Sequence, residues 1–201
     1  SKSFTAFMTD VVTDVQFMMN GQCFPLYWYE EDKGEGEIDM FAEKKAGGPR
    51  YVRKDGITDY IWNLAKEQYH TSAILKEDLF YYVYGLLHSE DYRKEFAADK
   101  KMLPRIPLVE KASDFKAFMK AGRALADLHL HYEEEEPPEG VIVEKEADDY
   151  HVTKMRFGGK KDKSIILYND AITIRNIPLT AYDYIVNGRS AIEWVMESYR
   201  V

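Results

Sequence analysis

The chain has 201 residues, 45% hydrophobic and 14% aromatic, with 35 acidic against 27 basic side chains for a formal net charge of −8. That length holds one good-sized domain, or a domain with a smaller lobe, and the composition excludes a disordered chain. No apolar run approaches the roughly 18 to 20 residues that span a bilayer and no secretory leader is visible, so the cytoplasm is the expected compartment.

Residues 4–29, rich in Phe, Val, Met and Tyr, read as short strands interrupted at Gly21 and Pro25. The single cysteine, Cys23, has no partner for a disulfide or a thiolate metal site and reads as a small buried hydrophobe. Met8, Met18, Met19 and, further on, Met40 read as core fillers. Residues 30–49 are acidic and glycine-rich, as a long surface loop is, and Arg50, Arg53 and Lys54 follow them. These residues form a strand-and-loop lobe over 1–57.

A helical block is expected over 58–132. Thr58 is placed to cap a helix with Ile61, Leu64 and Ala65 inward. A second helix fits 76–87, with Leu79, Phe80, Val83, Tyr84 and Leu87 at helical spacing and Glu77 and Asp78 at the positive end of its dipole. Ser89 caps a short helix through Tyr92 to Phe96, and Pro104 and Pro107 force an extended link. Ser113 then caps a longer helix to about His131, carrying Phe115, Phe118, Met119, Leu125 and Leu128 on one side. Gly122 inside it costs about 1 kcal/mol relative to Ala, which points to close packing against a neighbour.

The run Glu133 to Glu136 with Pro137 and Pro138 is a linker by composition. Over 141–201 the period changes to two. Met155 and Phe157 alternate with Lys154 and Arg156, and residues 165–167 and 172–174 follow, a three-stranded antiparallel meander with turns at 158–163 and at Asn169-Asp170. A helix with the capping box Ser190-Ala191-Ile192-Glu193 closes the chain. The expected fold class is α+β: short N-terminal strands, a central helical block, and a C-terminal antiparallel meander with a closing helix.

Catalytic patterns are missing. The sequence has no phosphate loop of the G-x-x-x-x-G-K-[ST] type, no G-x-G-x-x-G, and no nucleophile elbow. The one Pro-Pro pair follows four glutamates and lacks the aromatic residue that an amino-methyltransferase needs. His129 and His131, with Asp127 and Glu133, suggest a metal only superficially, because helical positions i and i+2 point to different faces. No catalytic residue, metal or cofactor is therefore assigned to these residues. The net acidity weighs against nucleic acid, yet the charge is uneven: acid gathers at 30–43 and 133–149, base at 93–123 and 154–163. The best physical case for binding is the segment 154–163. There Lys154 and Arg156 lead into a glycine-rich tip with Lys160, Lys161 and Lys163, a shape that fits a DNA major groove. A merely solvated hairpin tip is the plain alternative. Arg50, Arg53 and Lys54 make a weaker case of the same kind.

Several blocks resemble the C-terminal specificity region of type ISP restriction-modification enzymes. They are Gln22-Cys23-Phe24-Pro25-Leu26-Tyr27, the run from Asp78 to Ser89 with Tyr92-Arg93 after it, Leu103-Pro104-Arg105-Ile106-Pro107-Leu108, the run from Gly122 to Leu130, and that from Tyr184 to Trp194. The resemblance implies a parent polypeptide with nuclease, ATP-dependent translocase, adenine methyltransferase and target-recognition parts in that order, continuing past Val201. It implies double-stranded DNA and the methyltransferase domain as partners, with S-adenosylmethionine, ATP and Mg serving the other parts. The family-like blocks are mostly scaffold, so the recognising residues are expected in the loops between them. Two other readings stand beside this one: a structural module coupling methyltransferase to motor without base contacts, and a free-standing enzyme with an unfamiliar site.

Overall fold

An aromatic run followed by acids, Tyr27-Trp28-Tyr29-Glu30-Glu31, pairs with Tyr51-Val52-Arg53-Lys54-Asp55 as an antiparallel ribbon of β1 (Tyr27–Glu31) and β2 (Tyr51–Asp55), with Trp28 opposite Lys54 and Tyr29 opposite Arg53. The computed structural model describes residues 5–12, 22–32, 50–96, 104–186 and 188–199. They divide between two compact units, one drawn from residues 7–96 and 102–130, the other mainly from residues 131–201.

In the first unit the ribbon precedes four helices: α1 (Asp59–Gln68), α2 (Lys76–His88), α3 (Glu90–Phe96) and α4 (Ala112–Leu130). The core is aromatic. Tyr82 is fully buried and stacks on Phe115 with ring centroids 4.8 Å apart. Burying a tyrosine strands its hydroxyl unless a partner is supplied, and here the extended link after Pro104 supplies it. The Tyr69, Tyr82 and Tyr92 hydroxyls donate to the carbonyls of Val109, Pro107 and Arg105 at 2.6, 2.6 and 2.9 Å. Burial pushes the Tyr69 hydroxyl up to about 12, so it remains a donor at any ordinary pH. Gly122 meets Gly85 where α4 crosses α2. A Cβ at Gly122 would lie 1.9 Å from the Tyr81 carbonyl oxygen, so the expected close approach is present.

Several local expectations are corrected. Cys23 is exposed rather than buried, because residues 22–25 run outside any core cluster. Among the described residues before Tyr27 no strand forms, and Glu30 and Glu31 belong to β1 rather than to a loop. Residues 33–49, with Met40, and residues 13–21, with Met18 and Met19, lie outside the described residues. Thr58 borders α1 in extended conformation without a side-chain capping bond. Ser113 lies inside α4, whose first amides reach back to the Lys111 carbonyl. Leu64 and Leu128 face solvent; the helices are rotated so that Trp62 packs on the core and Ala126 is buried.

The second unit is a four-stranded antiparallel sheet of β3 (Ile142–Lys145), β4 (Arg156–Gly158), β5 (Asp162–Leu167) and β6 (Ile172–Arg175), in the order β3-β6-β5-β4. The meander of three strands is present, and β3 is an unforeseen fourth. The Asn169 amide fixes the last turn: its oxygen accepts from the amides of Ala171 and Ile172 at 2.9 and 2.7 Å, and its nitrogen donates to the Asp149 carbonyl at 2.7 Å. A small hairpin of β7 (Ile185–Val186) and β8 (Arg189–Ser190) leads into α5 (Ala191–Ser198). Ser190 caps α5 as expected, accepting from the Glu193 amide at 3.2 Å. Val152, Met155, Ile166, Ile177, Tyr182 and Met196 form the core of this α+β unit.

Candidate nucleic-acid interface

The hairpin of β4 and β5 follows from its alternation. Met155 is buried and Phe157 packs on the core, so Lys154 and Arg156 face solvent. The register shifts between Phe157 and Gly158, where a Cβ would come within 2.9 Å of the Ile165 Cβ. Residues 159–161 then make a single tight turn closed by the Asp162 amide donating to the Gly159 carbonyl. Lys160 sits at φ 57°, ψ 29° and Lys161 at φ 64°, both left-handed. The Asp162 carboxylate next to this tip accepts from the hydroxyl and amide of Ser164 at 2.7 and 2.9 Å, which lowers its pKa.

Lys163 differs from the other bases of the hairpin. Its Nζ lies 2.9 Å from Glu193 Oε1 and 5.0 Å over the Tyr182 ring, while its carbonyl accepts from the Tyr182 hydroxyl at 2.7 Å. Glu193 is held below its usual range by Lys163 first and Ser190 second. Lys163 thus ties β5 to α5. Lys154, Arg156, Lys160 and Lys161 are exposed and have no ion pair among the described residues.

The ribbon presents the second group. The Arg53 guanidinium lies 4.2 Å over the Tyr27 ring, Lys54 pairs with Glu30 at 3.9 Å, and Arg50 pairs with Asp32 at 3.6 Å. Tyr27 in turn bonds through its hydroxyl to Glu77 of α2, the main reason its pKa is raised. Trp28, Tyr29 and Tyr51 stand exposed on this ribbon. Their aromatic run beside charged residues is visible in the sequence as Tyr27-Trp28-Tyr29-Glu30-Glu31. The two basic groups lie in different units, and on the ribbon Arg53 and Lys54, as neighbours on β2, point to opposite faces, toward Tyr27 and Glu30 respectively.

Other chemistry is sparse. Among the described residues no group of three or more His, Cys, Asp or Glu side chains could hold a metal ion. His129 shares a hydrogen bond with the Tyr84 hydroxyl and lies beside the His88 ring, and burial lowers its pKa, which is a packing role. An apolar cavity of about 220 Å³ between Ile57, Leu79, Tyr82 and Ile106 offers no converging polar groups. No helix among the described residues is long and apolar enough to cross a membrane.

The whole chain, residues 1–201, matches the family described as the Type ISP C-terminal specificity domain. No curated protein sequence matches it. Among solved structures it is similar to the ATP-dependent Type ISP restriction-modification enzyme LlaBIII bound to DNA, at 36% identity and a TM-score of 0.69 over 88% of this chain. It is similar also to a nuclease-deletion mutant of the Type ISP enzyme LlaGI in complex with a DNA substrate mimic, at 43% identity and a TM-score of 0.60 over 76% of this chain. A DrdV–DNA complex matches at 26% identity with a TM-score of 0.74 over 99% of this chain. The chain spans only 10%, 11% and 19% of the length of those three proteins.

Proposed function

The chain belongs to the Type ISP C-terminal specificity domains, and on that premise we propose that it reads a double-stranded DNA target on behalf of a much larger restriction-modification enzyme. The observation that carries the reading is the β4–β5 hairpin, where Lys154, Arg156, Lys160 and Lys161 are exposed with no ion pair among the described residues, on a chain of net charge −8. Exposed cations relieve the repulsion of an acidic chain wherever they stand, but four carried on one hairpin also make an edge suited to phosphate, and a two-stranded ribbon fits the roughly 12 Å width of the major groove. Arg156, on β4, and Lys154, two residues before it, would reach base edges, the first as a bidentate donor to guanine. Arg50, Arg53, Lys54 and Lys163 form a second tier, since each must first leave an acidic or aromatic partner. The DNA held by LlaBIII and the substrate mimic held by LlaGI support the same reading.

In the parent enzyme, a cytoplasmic protein on this reading, the region would sit beside an adenine methyltransferase and set which adenine is flipped into its pocket. S-adenosylmethionine, ATP and Mg would serve the other parts of that polypeptide. Selection of duplexes from a randomised pool by the 201-residue chain at low salt tests the proposal. Enrichment of one short asymmetric motif is the expected result. Salt-sensitive binding without enrichment would overturn base reading by these residues and favour a coupling role between methyltransferase and motor.

A further inference from the structure

The tip of the β4–β5 hairpin is built against its own stability. Its turn has both central residues at positive φ, the arrangement for which Asn-Gly is the favoured pair because glycine alone enters that region freely. Here those positions hold Lys160 and Lys161. The glycine that would relieve them stands one residue earlier, at Gly159, where φ is not positive and an added Cβ would meet nothing within 4 Å. Gly158 is explained by the close approach of Ile165, whereas no close approach among the described residues calls for a glycine at 159. Glycine thus occupies the unstrained open position and lysine the two strained ones. The neighbouring carboxylate of Asp162 accepts from Ser164 through Oδ1, and no ion pair among the described residues joins it to either lysine.

Resting on the DNA reading above, we propose that the Lys160-Lys161 turn is a phosphate-contacting finger. Both ammonium groups take backbone phosphates, and bare Gly159 lets the DNA backbone approach closely. The finger supplies sequence-independent affinity and fixes the depth of the hairpin in the groove, leaving base reading to the strand residues behind it. Strained non-glycine residues are retained where the side chain is needed, and charge at both central positions is what a phosphate backbone rewards.

Three double variants of the full 201-residue chain separate charge from strain. Lys160→Asn with Lys161→Gly removes both, Lys160→Gln with Lys161→Gln removes charge alone, and Lys160→Arg with Lys161→Arg keeps both. Binding is measured against a duplex carrying the selected motif and against a scrambled duplex, with thermal melting in parallel. The Asn-Gly variant is expected to melt higher than wild type yet bind both duplexes about tenfold more weakly at low salt. Loss of two phosphate contacts lowers the salt slope by about 1.8, or about tenfold less salt sensitivity between 50 and 200 mM. The Gln-Gln variant is expected to bind as weakly without the gain in melting, and the Arg-Arg variant to match wild type. Undiminished affinity and slope in both uncharged variants would overturn the finger while leaving DNA recognition intact. Loss on the motif duplex alone would reassign the lysines to base reading. If wild type binds neither duplex, the recognition reading fails and the finger with it.

Discussion

Lys163 illustrates how one residue in a basic cluster can serve the fold. Its ammonium group pairs with Glu193 and lies over the Tyr182 and Phe157 rings, so removing its charge loosens the tie between β5 and α5. Lys163→Met is expected to cost about 1 kcal/mol of stability at neutral pH, the sum of a partly exposed ion pair and a cation–π contact. The pH dependence has a definite sign. Because Glu193 is depressed in the folded state, the pair acts fully above the ordinary glutamate range and is lost as pH falls through the folded value. Melting curves of wild type and variant should therefore converge toward acid; a constant gap down to pH values where Glu193 is protonated would assign the effect to packing alone. The outward placing of Lys154 and Arg156 was legible from their alternation with Met155 and Phe157. The partner of Lys163 was not, because Glu193 is 30 residues away and meets it only through tertiary folding.

At the scale of elements, the crossing of α2 and α4 offers a test in which two rules predict opposite signs. Ala is a better helix former than Gly by about 1 kcal/mol, so propensity alone expects Gly122→Ala to stabilise the protein. The added Cβ would lie 1.9 Å from the Tyr81 carbonyl and 2.6 Å from the Gly85 nitrogen, and neither backbone atom can yield without moving α2. A net loss of about 2 kcal/mol is expected from overpacking, read as a lower urea midpoint with an unchanged slope. A stabilised variant would show that the helices part cheaply. The need for Gly122 was readable from sequence, since a mid-helix glycine demands a packing reason; its partner Gly85 was not singled out, being hidden in a run of aromatics. The helices themselves were legible because their apolar spacing is long and regular, whereas their first residues were not: Ser113 is a good cap by type, yet α4 begins at Ala112. The strand β3 is not legible in the sequence for a related reason. It pairs only with β6, all four of its residues are exposed, and so no apolar face marks it, while the ion pair from Glu144 to Arg175 lies between strands distant in sequence.

For the whole molecule the open question is how a chain with 35 acidic and 27 basic side chains holds a polyanion. Net charge governs long-range attraction, whereas bound phosphates are counted by the cations that meet them, and the two need not agree. Of the eight candidate bases, Lys163, Arg50 and Lys54 are held in ion pairs and Arg53 lies on Tyr27, while Lys154, Arg156, Lys160 and Lys161 have no ion pair among the described residues to give up before releasing counterions from DNA. At about 0.9 per phosphate contact, four such residues give a slope of log affinity against log salt no steeper than about −3.6. Recruiting all eight would give about −7 and would require the ribbon to surrender Glu30, Asp32 and the Tyr27 ring and Lys163 to leave Glu193. Titration of one cognate duplex across a salt series decides between them. A shallow slope means that the acidic surface remains intact and opposes indiscriminate binding, so that recognition depends on a few contacts made only in register. A steep slope means that the internal ion pairs act as a reserve exchanged for phosphate on binding, and Lys54→Gln should then weaken binding as much as the loss of Lys160 does.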